Sequence, residues 1–164
     1  MKLILAALAL TATLASAAPI TDAAAFAKLK TLKGTWDGPE MPGMGKLRTT
    51  YRTIAAGSAV IETCFAGTKN EMVSLYTLNS RGRLVMTHYC TLGNQPHCTL
   101  DTKRSTDTTL VFKFDGGENI KTTAMHMRGM TLEFAGANKI VCGCESFKDG
   151  KSAGAHSSTL RRVK

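Results

Sequence analysis

From residue 46 onward, short runs that alternate apolar and polar residues are separated by turn-forming sequences such as AAGS, NSRG, DGGEN and KDGK. These turns are rich in Gly, Asn, Asp and Ser, which tolerate the backbone angles of tight hairpins. A period of two places apolar side chains on one face of an extended strand, whereas a helix needs a period of about 3.6. The pattern predicts strands over residues 46–55, 58–65, 71–78, 83–90, 98–104, 108–114, 121–127, 131–134, 139–147 and 155–163.

Successive strands joined by hairpin turns form an antiparallel meander. A meander of roughly eight to ten strands can close on itself and thereby remove its exposed sheet edges. We therefore predict an all-β fold in which the meander closes into a barrel of that size, with an open sandwich as the alternative. Because no repeat or change in composition marks a second domain, residues 18–164 are expected to form a single β-barrel domain.

A short helix is predicted ahead of the strands. Thr21 is a suitable N-cap residue, Phe26 and Leu29 recur at near-helical spacing, and Gly34 can end the helix. Residues 39–45, with the sequence PEMPGMG, have the composition of a loop.

The first 17 residues have the pattern of a signal peptide. Lys2 supplies a positive charge, residues 3–14 are apolar or small, and Ala15-Ser16-Ala17 matches the cleavage pattern. The apolar run is shorter than the about 20 residues that a membrane span needs, and no other stretch approaches that length. We expect cleavage after Ala17, a periplasmic or secreted location, and no transmembrane segment.

The formal net charge of +9 comes from basic residues that are scattered along the chain. Nucleic-acid binding would need these residues on one face, interleaved with aromatic side chains, and only 6% of the residues are aromatic. The composition therefore argues against a nucleic-acid partner. It predicts a solvated basic surface that contacts anionic envelope surfaces weakly.

The densest group of chemically active side chains lies around the string HYC-x-x-GNQP, residues 88–96. Alternation places His88 and Cys90 on one strand face, and if that face lines the lumen, acidic residues and a further histidine on other strands face the same space. A buried histidine beside a carboxylate can act as an acid, a base or a ligand. The predicted ligand-binding residues are His88, Glu62, Glu71, His126, Asn94 and Gln95.

Five cysteines in an exported chain suggest disulfides, and the odd number leaves at least one thiol unpaired. Cys90 and Cys98 flank a turn and are predicted to form a structural cross-strand disulfide. The competing interpretation is a zinc site made by His88, Cys90, His97 and Cys98.

Cys142 and Cys144 share one face of a predicted strand, and one of them is expected to pair with Cys64. The alternative is a soft-metal clamp, because thiolates, thioethers and imidazoles suit Cu(I). Its further ligands would come from the methionine-rich sequences at 41–44 and 125–130. Copper is therefore one cofactor option, although methionine is also a common filler of core gaps.

The sequence LKTLKGTWDG, residues 29–38, resembles the opening of calycin-like barrels, the relatives of lipocalins and nitrobindins. The stretch from Gly57 to Pro96, with its HYC-x-x-GNQP string, and the ending CESFKDGKSAGAHSSTLRR resemble a group of exported bacterial proteins that has no assigned reaction. The resemblance implies a barrel in which Trp36 packs structurally against the closed end. The nitrobindin branch also implies haem as a cofactor option, with His126 or His156 as the iron ligand.

These observations favour a non-enzymatic binding module that holds a small apolar or amphipathic ligand in the barrel lumen. They assign no catalytic residue and no metal-binding residue. One alternative is a hydrolase or isomerase in which His88 and a carboxylate form an acid–base pair. The other is a structural envelope protein whose lumen is filled by side chains.

Overall fold

Ten antiparallel strands form a closed barrel in which each strand pairs with its neighbours in chain order, and β10 pairs with β1. This structure is a computed structural model that describes residues 19–163, so the predicted signal peptide lies outside the described residues. It confirms the predicted all-β antiparallel meander, its closure into a barrel and its short N-terminal helix. The elements are α1 (Asp22–Lys30), β1 (Gly34–Met41), β2 (Gly45–Ile54), a 3-10 turn (Ala55–Gly57), β3 (Ala59–Cys64), β4 (Met72–Leu78), β5 (Leu84–Tyr89), β6 (Gln95–Leu100), β7 (Thr109–Glu118), β8 (His126–Gly136), β9 (Lys139–Lys148) and β10 (Lys151–Arg162).

Helix α1 lies across one end of the barrel and buries Ala25, Phe26 and Leu29. The hydroxyl of Thr21 caps the helix by accepting a hydrogen bond from the backbone N–H of Ala24 at 3.2 Å. The carboxylate of Asp22 accepts a hydrogen bond from the backbone N–H of Leu84 at 2.8 Å, which connects the helix to the start of β5. In the described part of the chain, no helix has the length and apolar character of a membrane span.

Two segments differ from the predicted strand pattern. No strand was predicted before residue 46, but β1 begins at Gly34 and extends into the predicted loop as far as Met41. A register shift between Asp37 and Glu40 accommodates Pro39, which cannot donate a ladder hydrogen bond. The strands predicted at 121–127 and 131–134 form one strand, β8, which begins at His126 and contains a bulge near Gly129. Bulges and an internal proline hide the period of two, which explains both differences.

The barrel closes over a short seam. Strands β1 and β10 pair only as Trp36 with Arg162 and Asp37 with Arg161, near the α1 end. The side chain of Arg162 reinforces this seam, since it donates to the carbonyl oxygens of Lys33 at 2.7 Å and Thr31 at 3.0 Å. These carbonyls belong to the segment that ends α1, whose orphan acceptors need donors.

Trp36 completes the seam from the inside. Its indole N–H donates to the carbonyl of Leu32 at 2.8 Å, and its ring lies 4.2 Å from the guanidinium carbon of Arg162. The side chain is 1% exposed, which agrees with the structural role predicted for it. One arginine and one tryptophan therefore connect α1, β1 and β10.

We expect Arg162→Ala to lower the free energy of unfolding by about 2 kcal/mol, because it removes two charged hydrogen bonds and a cation–π contact. Chemical denaturation followed by tryptophan fluorescence measures this change. Arg161→Ala is the matched control, because Arg161 is exposed and points to the opposite face, and we expect it to cost less than about 0.5 kcal/mol. Equal losses in the two variants would contradict the proposed role of Arg162.

Candidate ligand-binding site in the barrel lumen

The lumen is filled at the α1 end. Inward-facing side chains there have an exposed fraction of 1% or less, and the space that remains is a crevice of about 280 Å³ between the end of α1 and the β8–β9 hairpin. They include Trp36, Val60, Tyr76, Leu84, Leu100, Phe112, Leu132, Ile140 and Leu160.

The lumen opens toward the other end. The side chains there pack against the same core but are only half-buried, so each keeps some accessible surface. They come from six strands and from the turn between β1 and β2: Met41, Met44, Cys64, Met72, Phe114, Met130, Cys142 and Cys144. The open end is therefore apolar and rich in sulfur.

A row of polar side chains crosses the lumen between the filled and open parts. Tyr51, Glu62, Ser74 and His88 are successive cross-strand partners on β2 to β5. Residues directly opposite on neighbouring strands share a face, so the four side chains point to the same side of the sheet. The structure thus places two of the predicted site residues, Glu62 and His88, in one lumenal row with Ser74 between them.

Glu62 is 5% exposed and is held by two tyrosines. The hydroxyl of Tyr51 donates to its Oε1 at 2.8 Å, and the hydroxyl of Tyr76 donates to its Oε2 at 2.5 Å. Burial, and next the charge of Glu62, raise the pKa values of both tyrosines, which stay protonated as donors. Within residues 19–163, Glu62 has no salt-bridge partner.

His88 bonds to a serine and not to a carboxylate. Its Nδ1 lies 3.0 Å from Oγ of Ser74, and burial lowers the pKa of His88 to about 4. The imidazole is therefore neutral near pH 7. Glu71 is exposed and accepts the backbone N–H of Gly67 at 2.7 Å, so it belongs to the loop between β3 and β4. The acid–base pair considered from the sequence is not formed in this arrangement.

His126 and Asn94 lie at the open end and are each 3% exposed. His126 Nδ1 lies 2.9 Å from the carbonyl of Ala124 and therefore carries a proton. Asn94 Nδ2 donates to the carbonyl of Met125 at 2.9 Å. Among the described residues, His126 Nε2 and Asn94 Oδ1 have no hydrogen-bond partner.

Haem does not fit either histidine that the resemblance suggested. His126 Nε2 is fully buried, so no surface is left for an iron atom to approach, and His156 is exposed on β10. Gln95, the last predicted ligand-binding residue, is half-buried. Its Oε1 accepts a hydrogen bond from the side-chain amide of Asn119 at 2.8 Å. Gln95 therefore joins the start of β6 to the loop after β7.

The predicted disulfide between Cys90 and Cys98 is wrong, and the five cysteines are free. Cys98 lies opposite Met86 in the β5–β6 pair, while Cys90 lies in the turn, where its N–H donates to the carbonyl of Asn94 at 3.1 Å. The expected pairing of Cys64 with one member of the CxC pair is also not formed. The predicted β6 began at Cys98, whereas the strand begins at Gln95, and this shift moves the two cysteines out of register.

The zinc alternative is also wrong. His88 and Cys98 face the lumen, whereas alternation turns His97 outward. Within residues 19–163, no three His, Cys, Asp or Glu side chains are grouped so that they could hold a metal ion.

The lumenal thiols are protonated near neutral pH. Burial raises the pKa of Cys98 to about 12 and that of Cys144 to about 11. Burial, and next the charge of Glu62, raise the pKa values of Cys64 and Cys142. No nucleophilic thiolate is therefore prepared at these four positions.

Sequence reasoning missed a groove of about 530 Å³ on the outer face of β7 to β10. Its lining contains two complete outward cross-strand rows, Val111–Thr131–Gly143–Ser157 and Lys113–Gly129–Glu145–Ala155. Glycines at 129 and 143 deepen the surface, and a Cβ at Gly143 would collide with the hydroxyl of Thr131. None of the predicted ligand-binding residues lines this groove.

We expect the neutral state of His88 to make stability depend on pH. The pKa is about 4 in the folded chain and about 6.5 in the unfolded chain, so the unfolded chain binds an extra proton between these values. The free energy of unfolding should fall by up to about 3 kcal/mol between pH 7 and pH 4 through this group alone.

Urea denaturation at the two pH values measures the effect. His88→Gln should lose this part of the pH dependence, whereas the control His97→Gln, on the outward face of β6, should keep it. An identical pH dependence in His88→Gln and the unsubstituted protein would show that His88 is not held neutral.

Compared with protein-family models and with curated proteins, the chain matches none. The resemblance to calycin-like barrels stays a prediction, and the function has to be argued from the lumen.

Proposed function

We propose that this protein is an exported binding barrel that holds a small apolar or amphipathic molecule at the open end of its lumen. The observation that carries the proposal is the division of the lumen, which is filled by side chains beside α1 and lined by half-buried side chains at the other end. A concave apolar space with a few polar groups is the usual form of a small-molecule site. Export rests on the pattern of residues 1–17.

The side chains suggest how such a molecule would be oriented. Its apolar part would contact methionine, cysteine and phenylalanine side chains near the opening, which are soft and adaptable surfaces. Its polar end would approach His88 and Ser74, which are neutral at pH 7 and can exchange hydrogen bonds with a hydroxyl or amide. The negative charge of Glu62, which lacks a cationic partner in the described part of the chain, disfavours an anionic head group.

The two alternative functions receive less support. An acid–base enzyme would need a carboxylate beside His88, but both oxygens of Glu62 accept from tyrosines and Glu71 lies in an exposed loop. A completely filled barrel agrees with the α1 end of the lumen but not with the half-buried side chains at the opposite end.

The test introduces a bulky side chain at two consecutive residues of β9, one of which faces the lumen and the other the outer groove. Both residues border the outer groove, but Cys144 packs against the lumenal core and Glu145 does not, so Cys144→Trp and Glu145→Trp add the same bulk on opposite faces. The ligand is the neutral probe N-phenyl-1-naphthylamine, whose fluorescence rises in apolar surroundings. We expect Cys144→Trp to weaken its binding by about tenfold or more, which is ~1.4 kcal/mol, and Glu145→Trp to leave it unchanged.

Native mass spectrometry of protein purified from the periplasm completes the test, because the same spectrum shows any co-purified ligand and whether the chain begins at Ala18. Circular dichroism confirms that both variants fold. Absence of probe binding would overturn the binding proposal, and so would a loss of binding confined to Glu145→Trp, since the probe would then occupy the outer groove.

A further inference from the structure

Three sulfur atoms form a cross-strand row at the open end of the lumen. Cys64 on β3 lies directly opposite Met72 on β4. On the other side of Met72, the Sγ atom of Cys90, which follows β5, lies 3.9 Å from the Sδ atom of Met72. All three residues are half-buried, so the row borders the open part of the lumen.

The spacing of the sulfur atoms suits a metal ion. Two sulfurs bound to one ion at about 2.3 Å, with an angle of about 120° between the bonds, are about 4 Å apart. The measured separation of 3.9 Å between Cys90 and Met72 is close to this value. Cross-strand neighbours have Cβ atoms about 5 Å apart, so the Cys64 thiol is also within reach of an ion held by Met72.

We propose that Cys64, Met72 and Cys90 bind a soft monovalent cation, Cu(I) or its analogue Ag(I), at the mouth of the lumen. Thiolate and thioether sulfurs select such ions over hard ions. The absence of any three grouped His, Cys, Asp or Glu side chains within residues 19–163 agrees with this selectivity, since a site with one thioether and two thiols offers little to Zn²⁺ or Mg²⁺. The site does not depend on the proposed binding of a small molecule.

Binding exchanges one proton for one cation and requires no oxidant or reductant. The S–H bond of Cys90, the cysteine nearest the solvent-exposed turn, breaks; its proton passes to solvent and a metal–sulfur bond forms. Met72 adds a thioether lone pair, and Cys64, which keeps its proton, adds a weaker third donor. The net charge of the lumen is unchanged, so the exchange adds no further buried charge next to Glu62, whose Oε1 lies 3.6 Å from the sulfur of Cys64.

The test uses Ag⁺, which has the coordination preference of Cu(I) but stays in one oxidation state during the measurement. Reduced protein is titrated with Ag⁺ in the presence of a competing thiol ligand, and the stoichiometry is read by native mass spectrometry. We expect one tightly bound Ag⁺ per chain. Met72→Leu should weaken binding by about tenfold or more, since even the loss of an outer-shell partner costs about that much at a metal site.

Met86→Leu is the matched control. Met86 also faces the lumen, but its cross-strand neighbours are Tyr76 and Cys98, and the substitution conserves volume in the same way. Cys64→Ser and Cys90→Ser should each weaken Ag⁺ binding, whereas Cys98→Ser should not. No bound Ag⁺, or equal losses in Met72→Leu and Met86→Leu, would overturn the proposal, and neither result would affect the binding of the neutral probe that tests the proposed function.

Discussion

Closure of the ten-stranded sheet depends on the contact between Arg162 and Trp36. The strands that meet there share only two residue pairs, so backbone hydrogen bonds alone give a weak joint. The guanidinium group strengthens this joint because it stacks on the indole and donates to carbonyls of the segment that ends α1. Helix, first strand and last strand are thereby held as one unit, and an open sheet with exposed edges is avoided.

This anchoring also determines which part of the lumen is closely packed. Because α1 is fixed across one end, its side chains and those of the adjoining strand segments fill the lumen there. Beyond the seam, on the side away from α1, β1 and β10 are not paired with each other in the described chain. The inward side chains at that end of the barrel are only half-buried. The closely packed and the half-buried parts of the lumen thus lie at opposite ends of one barrel.

The lumen combines a structural polar cluster with a soft sulfur surface. Glu62 accepts from tyrosines on the strands at either side, so its carboxylate fixes the relative positions of β2, β3 and β4. Burial, and next the same charge, raise the pKa values of Cys64 and Cys142, so both thiols stay protonated. A buried carboxylate, two phenols and neutral thiols make the inner part of this space suited to cations and to neutral molecules.

Much of the fold could be predicted because alternation is a local property. It correctly predicted most strands and assigned His88 and Cys90 to one strand face, while leaving open whether that face lines the lumen. β1 was missed because Pro39 and a bulge interrupt its alternation, and β8 was divided for a similar reason. The partner of His88 was also missed, since a serine on the adjacent strand carries no sequence signal that separates it from any other inward polar residue.

The sequence by itself determined which side chains share a strand face wherever the strand is regular, because the period of two alternates residues between two faces. Only the tertiary structure decided which inward side chains meet. Cys90 contacts Met72 and not Cys98, and Glu62 meets two tyrosines and not His88, because these pairings follow from register. Register depends on bulges, turn lengths and the closing contact at Arg162, and a shift of a single residue along one strand would exchange its inner and outer faces.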